Sequence, residues 1–250
     1  MSRVLSFLYG VACYGVFFLS FLYAIGFVGN LLVPKSIDSG VESGLTRSLI
    51  INLVLLGLFA AQHTIMARPA FKRWWTRIVP EHVERSTFVL LASLLLLLLY
   101  WQWRPITAVV WSVDHPGARA LLWSLFGLGW ITVLLSTFMI NHFDLFGLRQ
   151  VWLHLHNRQY HHITVQTTSL YRHVRHPIML GFIIAFWATP KMSAGHLLFA
   201  VGTTAYILIG IQFEERDLMR FLGKDYEDYR QRVPMLIPFT KKRRARTDTV

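Results

Sequence analysis

The 250-residue chain has one cysteine, Cys13. One thiol cannot close a disulfide within the chain, and it completes no cysteine-pair redox motif. Set inside an apolar run, Cys13 reads as a small core residue. Charge is scarce too: 15% of residues are Asp, Glu, Lys or Arg, against about 25% in soluble domains. Five stretches have no charge at all: residues 4–33, 48–67, 86–103, 120–143 and 192–213. Each is close to or longer than the ~20 residues that cross ~30 Å of hydrocarbon. No single water-soluble core would bury five such runs, so the chain is expected to be an all-α, polytopic integral membrane protein. The first run exceeds the ~7–15-residue apolar core of a cleavable signal peptide, and a retained first helix is expected.

What charge there is leans positive, with 25 Lys and Arg against 13 Asp and Glu. With the N-terminus placed in the cytoplasm, 20 of the basic residues fall on that side; Lys35, Arg47, Arg104, Arg119 and Lys191 fall outside. This positive-inside split predicts a multi-pass inner-membrane protein with both termini cytoplasmic. It makes the final "KKRRAR" a tail near anionic headgroups and argues against a nucleic-acid partner. Four long transmembrane helices are expected in residues 1–140. Residues 141–250 are then expected to form a loop, a helical hairpin and a cytoplasmic tail. The hairpin joins a short helix at 178–190 to the 192–213 run, which gives five to six spans. Beyond Phe213, Leu218, Phe221, Leu222 and Tyr226 recur on one side, predicting an amphipathic helix lying on the cytoplasmic face. The Gly- and Ser-rich segment 34–46 reads as a simple external connector.

The segment 141–177 holds seven of the eleven histidines. It leads into "LYRHVRHPIMLGF", where charge meets the start of the hairpin. A hairpin returns its two ends to one depth, so Arg175 and His176 should lie beside Glu214 and Glu215. Pro177 suits a first helical turn, whose free N–H groups attract an anion. Acids beside an arginine and an imidazole would match a zwitterionic ligand. The plainer alternative is an Arg175–Glu214 ion pair that anchors the hairpin.

Arg175-His176-Pro177, Glu214-Glu215, Leu222-Gly223 with Tyr226 and Tyr229, and Val233-Pro234 together resemble the C-terminal half of integral-membrane methyltransferases. That group includes the isoprenylcysteine carboxyl methyltransferases and the phospholipid methyltransferases. "AAQHTIMARPAFKRWW" and "VERSTFVLLASLLLL" resemble the nurim-like branch, and the whole chain is similar to the bacterial methanethiol S-methyltransferases. The resemblance implies S-adenosylmethionine as methyl donor, methanethiol as acceptor and dimethyl sulfide as product. It further implies a cofactor-binding set of Gln166, Tyr171, His173, Arg175, His176, Glu214 and Glu215. Two positions depart from the wider pattern: Ser169 replaces a usual glycine, and Met179 a usual tyrosine.

A thiol reacts as its thiolate, which calls for a base or a positive field. His63 and Arg68 near the end of the second span, with Glu84 and Arg85 opening the third, are the candidate catalytic residues. For His63 the alternative is a hydrogen bond to a neighbouring helix; Gln62 and Asn52 read as helix-joining residues. Three other functions compete, the first being the isoprenylcysteine or lipid methylation that the wider resemblance also allows. A membrane di-metal oxygenase would use His156, His161, His162, His173 and His176, but their spacing does not match that chemistry. A nurim-like scaffold would catalyse nothing, and would have no need of Arg175-His176 facing Glu214-Glu215.

Overall fold

The computed structural model describes residues 2–161, 169–238 and 240. In chain order the helices are α1 (Arg3–Gly29), α2 (Leu45–Ala67), α3 (Pro69–Trp75) and α4 (Glu81–Gln102). Strand β1 (Val109–Ser112) follows, then α5 (Pro116–Ile140), α6 (His142–Leu145) and α7 (Leu148–Leu155). The chain ends with α8 (Pro177–Trp187), β2 (Lys191–Ser193), α9 (Ala194–Leu222) and α10 (Lys224–Arg232). Five helices, α1, α2, α4, α5 and α9, are long and apolar enough to cross a membrane. The protein is an all-α polytopic membrane protein. Its core gathers Phe27, Leu99, Trp103, Phe126, Trp130, Phe186 and Phe199 from five helices and the end of α4.

The bundle has two chemically distinct ends. At one, Ser6 Oγ lies 3.0 Å from His82 Nε2, Arg85 Nε donates to the Leu145 carbonyl at 2.7 Å, and Arg68 Nη1 meets Asp217 Oδ2 at 2.9 Å. At the other, Trp103 Nε1 donates to the Ile37 carbonyl at 3.1 Å, and the Asn52 amide both accepts from the Arg104 N–H and donates to its carbonyl, each at 2.8 Å. Asn52 thus ties α2 to the end of α4. Gln62 does not join helices: its Nε2 faces Met66 Sδ on the same helix, at 3.1 Å. The 34–46 segment is no simple connector either. Ile37 is wholly buried, and Ser193 donates to Asp38 across the bundle end.

The short helix α8 has 11 residues, about 16 Å at ~1.5 Å per residue, half the thickness of the hydrocarbon. Extended chain follows it. β2 pairs antiparallel with β1, Trp111 opposite Met192 and Ser112 opposite Lys191, with a bulge between Val109 and Trp111. Val113, Ala194 and Gly195 add backbone bonds of 2.8–2.9 Å to Pro190, Ala108 and Ile106. Backbone at membrane depth has no water to bond, and here protein satisfies it.

α8 rests on α5 through two glycines. A Cβ at Gly129 would come within 2.7 Å of the Ala185 nitrogen, and one at Gly181 within 2.7 Å of the Gly129 carbonyl. Two backbones touch there, the small-residue packing that membrane helices use. Gly181→Ala is therefore expected to lower stability by about 1–3 kcal/mol, read as thermal unfolding in detergent. Gly15→Ala, at a site with nothing within 4 Å, should cause no loss.

Candidate functional site

The start of α8 and the last third of α9 meet as a hairpin requires. Arg175 and His176 are both buried, at 7% and 6% exposure. The partner of Arg175 is Glu215, not Glu214. Its Nη2 lies 2.6 Å and its Nε 2.8 Å from Glu215 Oε1, and His176 Nε2 reaches the same oxygen at 3.1 Å. Arg230 Nε stands 3.4 Å from Glu215 Oε2. Arg175 Nη1 is occupied as well, donating to the Arg230 carbonyl at 3.1 Å and the Val233 carbonyl at 2.5 Å. The backbone N–H groups of Arg175 and His176 donate to the Pro234 and Met235 carbonyls at 2.9 and 3.2 Å. Arg175 and Glu215 thus form a closed, nearly saturated knot of α8, α9 and the chain after α10.

Glu214 differs from its neighbour. Its side chain is 48% exposed, against 7% for Glu215, and it faces His176 Nδ1 at 3.6 Å. It is the carboxylate open to a ligand. Tyr171 is built into the frame: its hydroxyl donates to the Ser136 carbonyl at 3.4 Å, and its own carbonyl accepts from Tyr229 at 2.6 Å. Burial pushes the Tyr171 phenol above its ordinary pKa, with Glu214 adding to the rise. Burial likewise pushes Tyr229 up, to about 12. His173 is exposed on the approach to this cluster, and Gln166 lies outside the described residues. Ser169, just before the cluster, has a φ of 50°. That left-handed backbone suits glycine best, which accounts for the glycine usual at this position in the wider pattern.

The chain does not leave the helix at Phe213. α9 runs 29 residues to Leu222, about 43 Å at ~1.5 Å per residue. That exceeds the ~30 Å thickness of hydrocarbon, and the acids lie in its last third. Gly223, with φ 55° and ψ −126°, breaks the helix, and α10 turns back on its own. Tyr226, Tyr229 and Val233 pack there with Leu218, Met219 and Leu222. Phe221 points away, 72% exposed. A cleft of about 260 Å³ opens along this face, lined by Gln212, Glu215, Arg216, Met219, Arg220 and Arg230. Among the described residues, the buried Tyr226 hydroxyl has no hydrogen-bond partner.

A second polar cluster lies where α2, α3, α4 and α7 converge. His63 Nδ1, Gln62 Oε1, Trp75 Nε1, Glu84 Oε1 and Gln150 Oε1 are buried without hydrogen-bond partners. Buried polar atoms are normally paired, so this concentration is unusual. The His63 ring packs on Phe59 and Phe88, at 5.4 and 5.0 Å, and Arg85 lies over Phe88 at 5.1 Å. Lys72 has its pKa lowered by burial and by Arg85, against the pull of Glu84, so these charges share one environment. Met66, Phe71, Trp75, Phe88 and Phe146 wall it. The structure brings His63, Glu84 and Arg85 into this region, whereas Arg68 turns to α9, pairing with Asp217 and lying 5.5 Å from the Phe213 ring. Sequence reasoning missed Trp75, Gln150 and Arg230. Only the position of Arg230, between Tyr229 and the Val-Pro ending, offered a signal.

Among the described residues, no group of three or more His, Cys, Asp or Glu could hold a metal ion. His161 contributes its carbonyl to Arg149 at 3.1 Å, and His162 lies outside the described residues.

A helical membrane bundle with a buried ion pair and a half-exposed carboxylate at the end of its terminal hairpin defines a polytopic membrane protein with a polar cluster at one face. Comparison with known proteins narrows this. The chain is 60% identical over 239 residues to methanethiol S-methyltransferase of Mycobacterium tuberculosis, covering 96% of this chain and 98% of that one. It is 51% identical over 243 residues to methanethiol S-methyltransferase of Crocosphaera subtropica, covering 97% and 95%. Mouse Nurim matches at 28% over 185 residues, covering 71% and 70%. No family model matches, and no solved structure does. The chain belongs to the methanethiol S-methyltransferase family.

The two adjacent glutamates are expected to separate cleanly. Glu215→Gln leaves a buried arginine without its counter-charge and should lower stability by about 3–5 kcal/mol, measured by thermal unfolding. Glu214→Gln should leave the unfolding temperature unchanged and weaken ligand binding instead, measured by calorimetry.

Proposed function

We propose that the protein transfers a methyl group from S-adenosylmethionine to methanethiol, releasing dimethyl sulfide, at the bundle end that carries the Arg175–Glu215 knot. Family membership with relatives named for this reaction supports the acceptor. The observation that supports the donor site is the contrast between a saturated Glu215 and a half-exposed Glu214 that faces His176. The residues present fit a zwitterionic donor: Glu214 offers a carboxylate for an ammonium group, and Arg216, Arg220 and Arg230 bring cations for a carboxylate. The unpartnered Tyr226 hydroxyl offers a further hydrogen bond. His173 and Gln166 complete the binding set we assign. Arg175, His176 and Tyr171 act by holding its shape.

When bound, the donor supplies a sulfonium methyl group open to in-line attack by a thiolate. The chain contributes position and water exclusion. His63 takes the thiol proton at Nδ1, its buried and unpartnered nitrogen. Arg85 holds the thiolate charge, with Glu84 setting the local field and the aromatic wall keeping water out. Arg68, joined to Asp217, couples the end of α2 to the donor helix. The site end faces the cytoplasm of a bacterial inner membrane, on the positive-inside split of 20 basic residues against five. A small apolar thiol reaches it from the bilayer.

Headspace measurement of dimethyl sulfide from the purified protein, given both substrates, tests this reading. Product from the wild type and none from Glu214→Gln supports it; donor binding without dimethyl sulfide overturns the acceptor assignment. His63→Ala is expected to lower kcat by about 10²-fold or more with donor affinity unchanged. Because a thiol ionises on its own as pH rises, the deficit of that variant should shrink at alkaline pH. A deficit constant across pH would remove His63 from proton transfer.

A further inference from the structure

The bundle end away from the candidate site carries two cations that no carboxylate answers. Lys35 lies between α1 and α2, and Arg104 follows α4. Among the described residues, neither is part of an ion pair. Asp38, the nearest acid in sequence, is committed to Asn30 Nδ2 at 2.9 Å and to the Ser193 hydroxyl. Among the described residues, the Lys35 ammonium donates to the Trp101 carbonyl. Burial, and then the field of Arg104, hold its pKa below the ordinary lysine value. Arg104 Nε is buried with no partner, while its Nη2 reaches Gln102 Oε1 at 3.3 Å. An unsatisfied buried guanidinium donor beside an uncompensated ammonium is unfavourable without an anion.

Both cations are held in place. Gly40 has a φ of 125°, and a Cβ there would lie 2.7 Å from Lys35 Cε, so the lysine stem lies against bare backbone. The Tyr23 hydroxyl donates to the Lys35 carbonyl at 2.9 Å. Asn52 grips both backbone polar groups of Arg104 at 2.8 Å. Beside Lys35, on the α4 turn that leads to Arg104, is a niche of about 310 Å³, lined by Tyr23, Pro34, Lys35, Leu97, Tyr100 and Trp101. Its floor is the stacked pair Tyr23–Tyr100, 5.3 Å between centroids, and its outer wall is Trp101, 69% exposed. Aromatic residues at a helix end mark the level of lipid headgroups.

We propose that this is a binding site for one anionic phospholipid, its phosphate between Lys35 and Arg104 and part of an acyl chain in the niche. The cations call for a strong anionic acceptor. The apolar lining beside them calls for a hydrocarbon chain joined to it, which a free ion lacks. Basic pockets between transmembrane helices are the usual form of such sites. The site is independent of the methyl-transfer reading.

Full-length protein, delipidated in detergent, would be titrated with dioleoylphosphatidylglycerol and bound lipid counted by native mass spectrometry. One tightly held lipid per wild-type chain is expected, and the Lys35→Gln/Arg104→Gln double variant should bind it about tenfold more weakly. Leu97→Trp fills the niche while leaving both cations, and should weaken binding comparably; it carries the test if the double variant fails to fold. Dioleoylglycerol, which lacks the phosphate, and inorganic phosphate, which lacks the chain, should bind neither tightly nor in one-to-one ratio. Equal lipid retention by the wild type and the folded variants would overturn the proposal. So would binding of dioleoylglycerol or free phosphate as tight as that of the phospholipid.

Discussion

Everything at the site end of the bundle depends on the ion pair between Arg175 and Glu215. It lies at 5% and 7% side-chain exposure, where an unpaired charge would be costly to keep. Such a pair gains its worth from geometry and from the hydrogen bonds around it. Here Glu215 also receives His176 and Arg230, and Arg175 spends its remaining donors on the carbonyls of Arg230 and Val233. One cluster therefore fixes the start of α8, the depth of α9 and the return of α10. α8 is too short to anchor itself by spanning, and its position comes from this knot below and the glycine contact with α5 beside it. Glu214, one residue earlier along α9, is half-exposed because its neighbour faces inward.

The two polar clusters have opposite economies. Around Arg175 nearly every donor and acceptor is matched, which makes a rigid frame. Around His63 five buried polar atoms are unmatched, a state that folded proteins keep where a ligand or a reaction supplies the missing partner. Arg68 and Asp217 connect the two regions, so that a shift of α9 is felt at the end of α2. An aromatic wall on one side and an open carboxylate on the other suit an apolar reactant meeting a charged one.

The spans were legible because uncharged length alone determines them; no partner has to be known. The meeting of Arg175 and His176 with the glutamates was legible because a hairpin has only one way to return its ends. Which glutamate turned inward was not, since adjacent residues on a helix differ by about 100° and only the packing of α10 decides between them. The onset of charge at Glu214 looked like the end of a span, but charge ends the hydrocarbon and not the helix; Gly223 ends the helix. The β1–β2 pairing left no trace in the sequence, as a three-residue strand has too few positions for alternation to show. Segment 34–46 looked like a linker because its composition is largely polar, whereas one apolar residue, Ile37, is wholly buried and docks it. Gln62, like His63, has polar capacity that no helix neighbour takes up, and periodicity carries no record of an absent partner.

Arg175 holds α10 by main-chain oxygens, and Tyr229 holds the turn before α8 in the same way. A clasp on carbonyls reads where the backbone is and ignores which side chain it bears. Lys224, Asp225, Glu227 and Asp228, all exposed on α10, are thus free of the duty of closing the site. Mutation can rewrite that outer surface, to suit whatever membrane or neighbour it meets, while the frame beneath stays unchanged. Divergence among relatives should accordingly concentrate on the outward face of α10 and spare Tyr226 and Tyr229 on its inward one.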